Sequence, residues 1–150
     1  MNQQIIKKAE EIIKSKTAEV NMGAGVTLSL LDSDGYPTTS CLSISKADGI
    51  KSLTFCITLD SNKAIRAKNN SKASVCIFGD DYEGGAYYNI TLVGDAEILT
   101  DAASKKEAWY EGMEEHCGGP DDPNYCVLRF NTKRYNLWVD LNAEELKGTF

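Results

Sequence analysis

One histidine in 150 residues, His116, leaves no second imidazole from which to build a two-histidine metal site. Basic residues are also in deficit: 16 Lys and Arg stand against 22 Asp and Glu, a formal net charge of -6. Proteins that grip a nucleic-acid backbone usually present a basic face, so this balance argues against that partner. No apolar run reaches the length of a membrane span, and the opening "MNQQIIKKAEEIIKSK" is broken by charge every few residues, unlike a signal peptide. A Walker loop, a nucleophile elbow and a Rossmann glycine fingerprint are all missing. Cysteine is present, but the five thiols are odd in number and lack zinc-type spacing. Cys41, Cys56, Cys76 and Cys126 each lie inside an apolar stretch, which predicts small buried hydrophobes and a reducing, cytoplasmic setting.

What is there reads as one domain over residues 1–150, with 42% hydrophobic and 25% charged residues. Ile5, Ile6, Ala9, Ile12 and Ile13 recur at helical spacing, predicting an N-terminal amphipathic helix within residues 1–18. "GAGVTLSLL", "TTSCLSIS" and "IKSLTFCITL" follow as strands, separated by the turns "DSDGYP" and "KADG". Joined so tightly, the three predict an antiparallel meander, since parallel pairs need long crossovers. A short helix capped by Ser61 runs to about Lys68, then "KASVCIF" and "AYYNITLVGDAEIL" resume as strands, with Gly94 marking a bulge or bend. A helix over 101–117 with Thr100 at its cap, a break at "GGPDDPN", one or two strands to residue 140 and a helical turn at "NAEELKG" complete the reading. The class is mainly β with covering helices: about six antiparallel strands, a small barrel rather than a doubly wound sheet.

The segment "TLDSNKA" carries the clearest chemistry. First-turn N–H groups after Ser61 and the Lys63 ammonium converge on one small volume, and phosphate suits a helix N-terminus. The alternative is that Ser61 only caps and Lys63 only lies along the surface. Arg66 and Lys68 read as solvated. In "TTSCLSIS" the small side chains let a flat ligand approach the backbone, and they equally suit a half-exposed strand. "DSDG" is a turn, because its glycine comes too early for a calcium loop. Cys117 beside His116 reads as an ordinary surface residue or a thiol near a helix end. Trp109, Tyr110, Tyr135 and Trp138 pack a core or cover a subunit contact.

In order, "GYPTTSCLSI", "LTFCITLDSNKAIRAKNNSKASVCIF", "YNITLVGDAEILTD", Trp109 and "GGPDDPNYCVLRFNTKRY" resemble the pyridoxamine 5'-phosphate oxidase-like flavoproteins. The likeness spans residues 25–138 and is greatest to their general-stress-protein branch. It implies a six-stranded antiparallel split β-barrel and a homodimer with two FMN sites at the subunit interface. It implies that Ser61 and Lys63 hold the FMN phosphate with Asn62 alongside, and that Thr58 lies near the ribityl chain or ring edge. Ser40, Cys41, Leu42 and Ser43 would offer backbone and small side chains to the isoalloxazine. The family's usual arginine after "GYP" is replaced by Ser40, whose hydroxyl cannot reproduce a charged fork of donors. The expectations are weakened flavin binding, compensation by Arg66, or a different ligand such as haem or a deazaflavin. The resemblance thus implies an FMN-dependent oxidoreductase, with a non-catalytic flavin-binding or stress protein as the alternative, and the lack of an obvious set of basic residues for pyridoxamine phosphate argues against that substrate. No catalytic acid or base is assigned.

Overall fold

The computed structural model describes residues 2–18, 25–140 and 144–150. Helix α1 (Asn2–Ser15) buries Ala9, Ile12 and Ile13, the apolar stripe its spacing predicts. Strands β1 (Val26–Leu31) and β2 (Pro37–Cys41) form the expected hairpin. In its turn, Asp32 Oδ1 accepts from the N–H groups of Asp34 and Tyr36 at 3.0 and 2.9 Å, and Gly35 takes φ 85°.

The three-strand meander is not formed. After β2 the chain leaves its partner: Ile44 is fully buried, and the Ser45 hydroxyl donates to the carbonyl of Ala108. Strands β3 (Lys46–Asp48) and β4 (Ser52–Thr58) therefore pair with each other at the opposite side of the sheet. Helix α2 (Asn62–Asn69) leads back to β5 (Lys72–Tyr82), followed by β6 (Ala86–Leu99), α3 (Ala102–Ala108), β7 (Tyr125–Trp138) and β8 (Leu146–Thr149). The order is β2-β1-β5-β6-β7-β4-β3, with β8 pairing β7 beside the main path.

Among the described residues the sheet has eight strands where six were expected, and the mainly β, antiparallel class is as expected. The extra pair are β3, too short to stand out from its turn, and β8, which replaces the expected helical turn. Residues 141–143 of that segment lie outside the described residues. The 101–117 helix is also shorter than expected. It ends at Ala108, and its cap is Asp101, whose Oδ2 accepts from Ser104 N at 3.0 Å, not Thr100.

Alternate residues of β1, β4, β5 and β6 face one core: Leu28, Phe55, Val75 and Leu92 are each at most 1% exposed. Strand β7 joins it twice, through Phe130 and through Leu137. Those positions differ in parity, so a regular strand would point one of them outward. The bulge resolves this. Val93 pairs with Arg134 and Gly94 with Thr132, leaving Lys133 as the extra residue. Gly94 is required there, because a Cβ would lie 1.9 Å from the Asn131 carbonyl oxygen. A second small core, under α3, holds Ala108, Met113, Cys117, Tyr125 and Val127. Among the described residues, no helix is long and apolar enough to cross a membrane.

Candidate functional site

The predicted site residues split between two cavities. One, of about 320 Å³, receives Cys41, Leu42 and Ser43 from the end of β2, Thr58 from the end of β4, and Ser61 and Lys63 from the start of α2. It also receives residues that the sequence reading did not assign: Cys56 and Ile57 from β4, and Tyr110, Met113, His116 and Cys117 from the segment after α3. Asn62 points elsewhere, lining a neighbouring cleft with Ile65 and Arg66. Ser40 lines neither cavity; it is the cross-strand partner of buried Leu28. Arg66 thus faces a different cleft from Lys63 and does not replace an arginine in the first.

The start of α2 defines the polar end of the pocket. Ser61 has extended backbone at φ -70° and ψ 151°, the geometry of an N-cap. Its hydroxyl accepts from Ala64 N at 3.2 Å and donates its single proton to the Thr58 carbonyl at 2.7 Å. The backbone N–H groups of Asn62 and Lys63 have no acceptor among the described residues. Half-buried Lys63 likewise makes no ion pair among them. Two free amides and a cation beside a helix N-terminus suit an anion, and a phosphate in particular. The group offering no proton there is Ser61, so its part is to hold the helix start in place.

Asp60, next to this cap, is exposed and held ionised. A hydrogen bond from Thr58, then one from Asn124, lower its carboxyl below the ordinary 3.8. The Asn124 amide donates to Asp60 Oδ1 at 3.2 Å, and Leu59 N donates to the Asn124 carbonyl at 2.7 Å. The helix start is thereby tied to the loop that follows Cys117.

The opposite wall is apolar and sulfur-rich. Cys56 Sγ donates to the Ala108 carbonyl at 3.2 Å and lies 3.5 Å from the Tyr125 hydroxyl, which donates to the Lys105 carbonyl at 2.7 Å. Burial pushes the Cys56 and Cys117 thiols up, so both stay protonated near neutrality. Burial also raises the Tyr110 phenol, against a hydrogen bond from Ser43. Cys117 is buried, not at the surface as expected, because "AWYEGMEEHC" wraps over β7 after α3 stops. Cys41 corrects the opposite way: it is exposed, since β2 ends there. Only His116, exposed at the rim, keeps the surface position its polarity suggested. The sole signal for this wall was its aromatic and apolar content, which is equally that of any covered surface.

The FMN fit is good at one end. Lys63 and two free amides match a phosphate, while Leu42, Ser43 and Ile57 leave a slot with little charge. Among the described residues, no group of three or more His, Cys, Asp or Glu is arranged to hold a metal ion.

This sheet, its helices and the pocket at the start of α2 define a split-barrel protein of the mainly β class. A sequence model described as pyridoxamine 5'-phosphate oxidase matches residues 13–139, and the chain belongs to that family. A search of curated proteins finds no match. Among solved structures, one from Clostridium acetobutylicum is described as related to general stress protein 26 of Bacillus subtilis, in the pyridoxinephosphate oxidase family. It is similar at TM-score 0.79 and 23% identity, covering 100% of this chain and 97% of that one. A pyridoxamine 5'-phosphate oxidase-related, FMN binding protein from Nostoc punctiforme matches at TM-score 0.63 and 16% identity, over 99% and 95% of the two chains. A heme binding protein from Mycobacterium smegmatis matches at TM-score 0.68 and 19% identity, over 95% of this chain and 57% of that one.

Proposed function

We propose that this protein binds FMN in the pocket at the start of α2 and is a flavin-dependent oxidoreductase. The observation carrying the proposal is the set of unpaired donors there: the Asn62 and Lys63 amides and the Lys63 ammonium. In this reading they hold the phosphate, Ser61 keeps the helix start in register, and the uncharged slot beside Leu42 and Ser43 takes the ring. The bound flavin supplies the electron and hydride transfer, and the chain supplies position and electrostatics. Tyr110, Met113 and Cys117 exclude water from one wall. Among the described residues, Lys63 is the only Lys or Arg lining the pocket. If it holds the cofactor's phosphate, no second lysine or arginine remains for a phosphorylated substrate, so pyridoxamine phosphate is not the substrate we propose.

The proposal includes a homodimer. One cross-strand row on the outer face runs Cys41, Thr27, Cys76, Thr91, Asn136, without charge over five strands. A parallel row, Phe78, Asn89, Trp138, adds aromatic surface, with Phe78 46% exposed. Such a face suits a second copy, and Cys41 is where it meets the pocket. All five cysteines are free thiols, which supports a reducing, cytoplasmic setting.

The test is an absorption spectrum of the purified protein before and after FMN is added and excess removed, followed by titration with FMN and riboflavin. Retained flavin, with FMN bound more tightly than riboflavin, supports the reading; absence of flavin binding overturns it. A second reading, haem, rests on His116, the one imidazole at the pocket rim. A Soret band that is lost in His116→Ala supports haem instead.

A further inference from the structure

The wall of the pocket opposite α2 is carried by a short segment with a glycine at each end in the left-handed region, Gly112 at φ 104° and Gly119 at φ 129°. Between them lie a single turn of 3-10 helix, Met113–Glu115, then His116, Cys117 and Gly118. The segment contributes three side chains to the pocket, those of Met113, His116 and Cys117. Met113 and Cys117 fasten it to the small core under α3, and its polar fastening is concentrated on Asp122. One carboxylate oxygen accepts from Gly118 N at 2.9 Å, and the other from Asn124 N at 2.9 Å. Lys105 Nζ, from α3, donates to the Asp122 carbonyl at 2.9 Å. The approach is close enough that a Cβ on Gly118 would lie 2.8 Å from Asp122 Oδ2. Thus "GGPDDPN", which reads in sequence as a chain break, is a clasp.

We infer that residues 112–119 are a flap over the pocket, hinged at Gly112 and Gly119 and held shut by the Asp122 carboxylate. Glycine at both ends permits the backbone rotations that lift a segment as a unit. Lifting it breaks few backbone bonds to the sheet, because the flap pairs with no strand; inside it, His116 N and Cys117 N both donate to the Met113 carbonyl. It uncovers Met113 and Cys117 while leaving the strands beneath in place. Lifting the flap widens the way into the pocket, and it does so whether the ligand is a flavin or another planar molecule.

The chain supplies its own reporter. Cys117 rides on the flap, whereas Cys126 is fully buried on β7 and becomes accessible only when the sheet itself opens. The experiment is native-state alkylation with N-ethylmaleimide at fixed pH, with each thiol followed by peptide mass spectrometry. In the wild-type protein Cys117 is expected to react well before Cys126. Asp122→Asn removes one of the two acceptor oxygens, and should speed Cys117 labelling about tenfold while leaving Cys126 unchanged, the factor expected from losing a hydrogen bond to a charged acceptor. Equal rates for Cys117 and Cys126 in the wild-type protein would overturn the flap, and this arm does not depend on the variant folding. So would a Cys117 rate unmoved by Asp122→Asn. Neither arm uses flavin, so failure of the FMN reading leaves this test intact.

Discussion

The Ser61 hydroxyl gives its proton to the Thr58 carbonyl, 2.7 Å away, and takes the Ala64 amide in return. One side chain thereby closes the turn after β4 and caps α2 at once. Ser61→Ala should cost about 1 kcal/mol of stability, measured by urea unfolding, and Ser61→Gly only a few tenths, since glycine is tolerated at a cap.

Among the described residues, Lys63 makes no comparable structural bond. Lys63→Ala is expected to leave the unfolding midpoint within error while weakening FMN by about tenfold or more, through loss of a charge-assisted contact. Riboflavin, which lacks the phosphate, should bind both proteins equally. A fluorescence titration of the two ligands checks this, and an equal loss for both would remove Lys63 from the phosphate site.

Lys16, which does not line the pocket, is buried, with its ammonium 2.7 Å from Asp81 and 5.7 Å from the centre of the Tyr88 ring. Burial pulls its pKa down, but hydrogen bonds to Asp81 and Tyr88 outweigh burial and the net shift is upward. Asp81 is held below the ordinary 3.8 by Lys16, then by Tyr88. Asp81→Asn should destabilise by about 2 kcal/mol, because it leaves a buried ammonium short of its charged partner. A depressed carboxyl stabilises fully above its unfolded value and loses that effect as pH falls through the lower folded value. The difference between wild type and variant should therefore persist at pH 5 to 7, roughly speaking, and vanish at pH values below the ordinary carboxylate range. The raised lysine adds the mirror effect, present below its ordinary 10.5 and lost as pH climbs through the higher folded value. Chemical denaturation across pH reads both.

Gly94→Ala places a methyl group 1.9 Å from the Asn131 carbonyl and must spread β6 from β7 at the bulge. A loss of about 2–3 kcal/mol is expected, read as a fall in the thermal midpoint. An unchanged midpoint would mean that the bulge re-forms elsewhere.

Thr91 lies in the uncharged outer row, between Cys76 and Asn136. Thr91→Arg should convert a dimer to monomer in sedimentation velocity while the far-ultraviolet spectrum stays the same. A wild-type protein that sediments as a monomer would remove the dimer from the proposal.

Local patterns in the chain were enough for the elements whose residues bury one face on their own. The stripe of α1, the alternation of β1, β4 and β5, the turn at Asp32 and the Ser61 cap all follow from periodicity or from bonds between near neighbours. So does the polar end of the site, since Thr58, Ser61 and Lys63 are close in sequence and a helix start places them together. Tertiary structure decided the rest, because it turns on contacts across long stretches of chain. Strand β2 cannot signal that β3 will cross to the far side; that depends on Ile44 finding the core and Ser45 finding Ala108, 63 residues on. The sulfur-lined wall exists because α3 stops early and its following segment folds over β7. No spacing within that segment distinguishes a pocket wall from an exposed turn. A helix cap is written in four residues, whereas a pocket is enclosed only when distant segments meet.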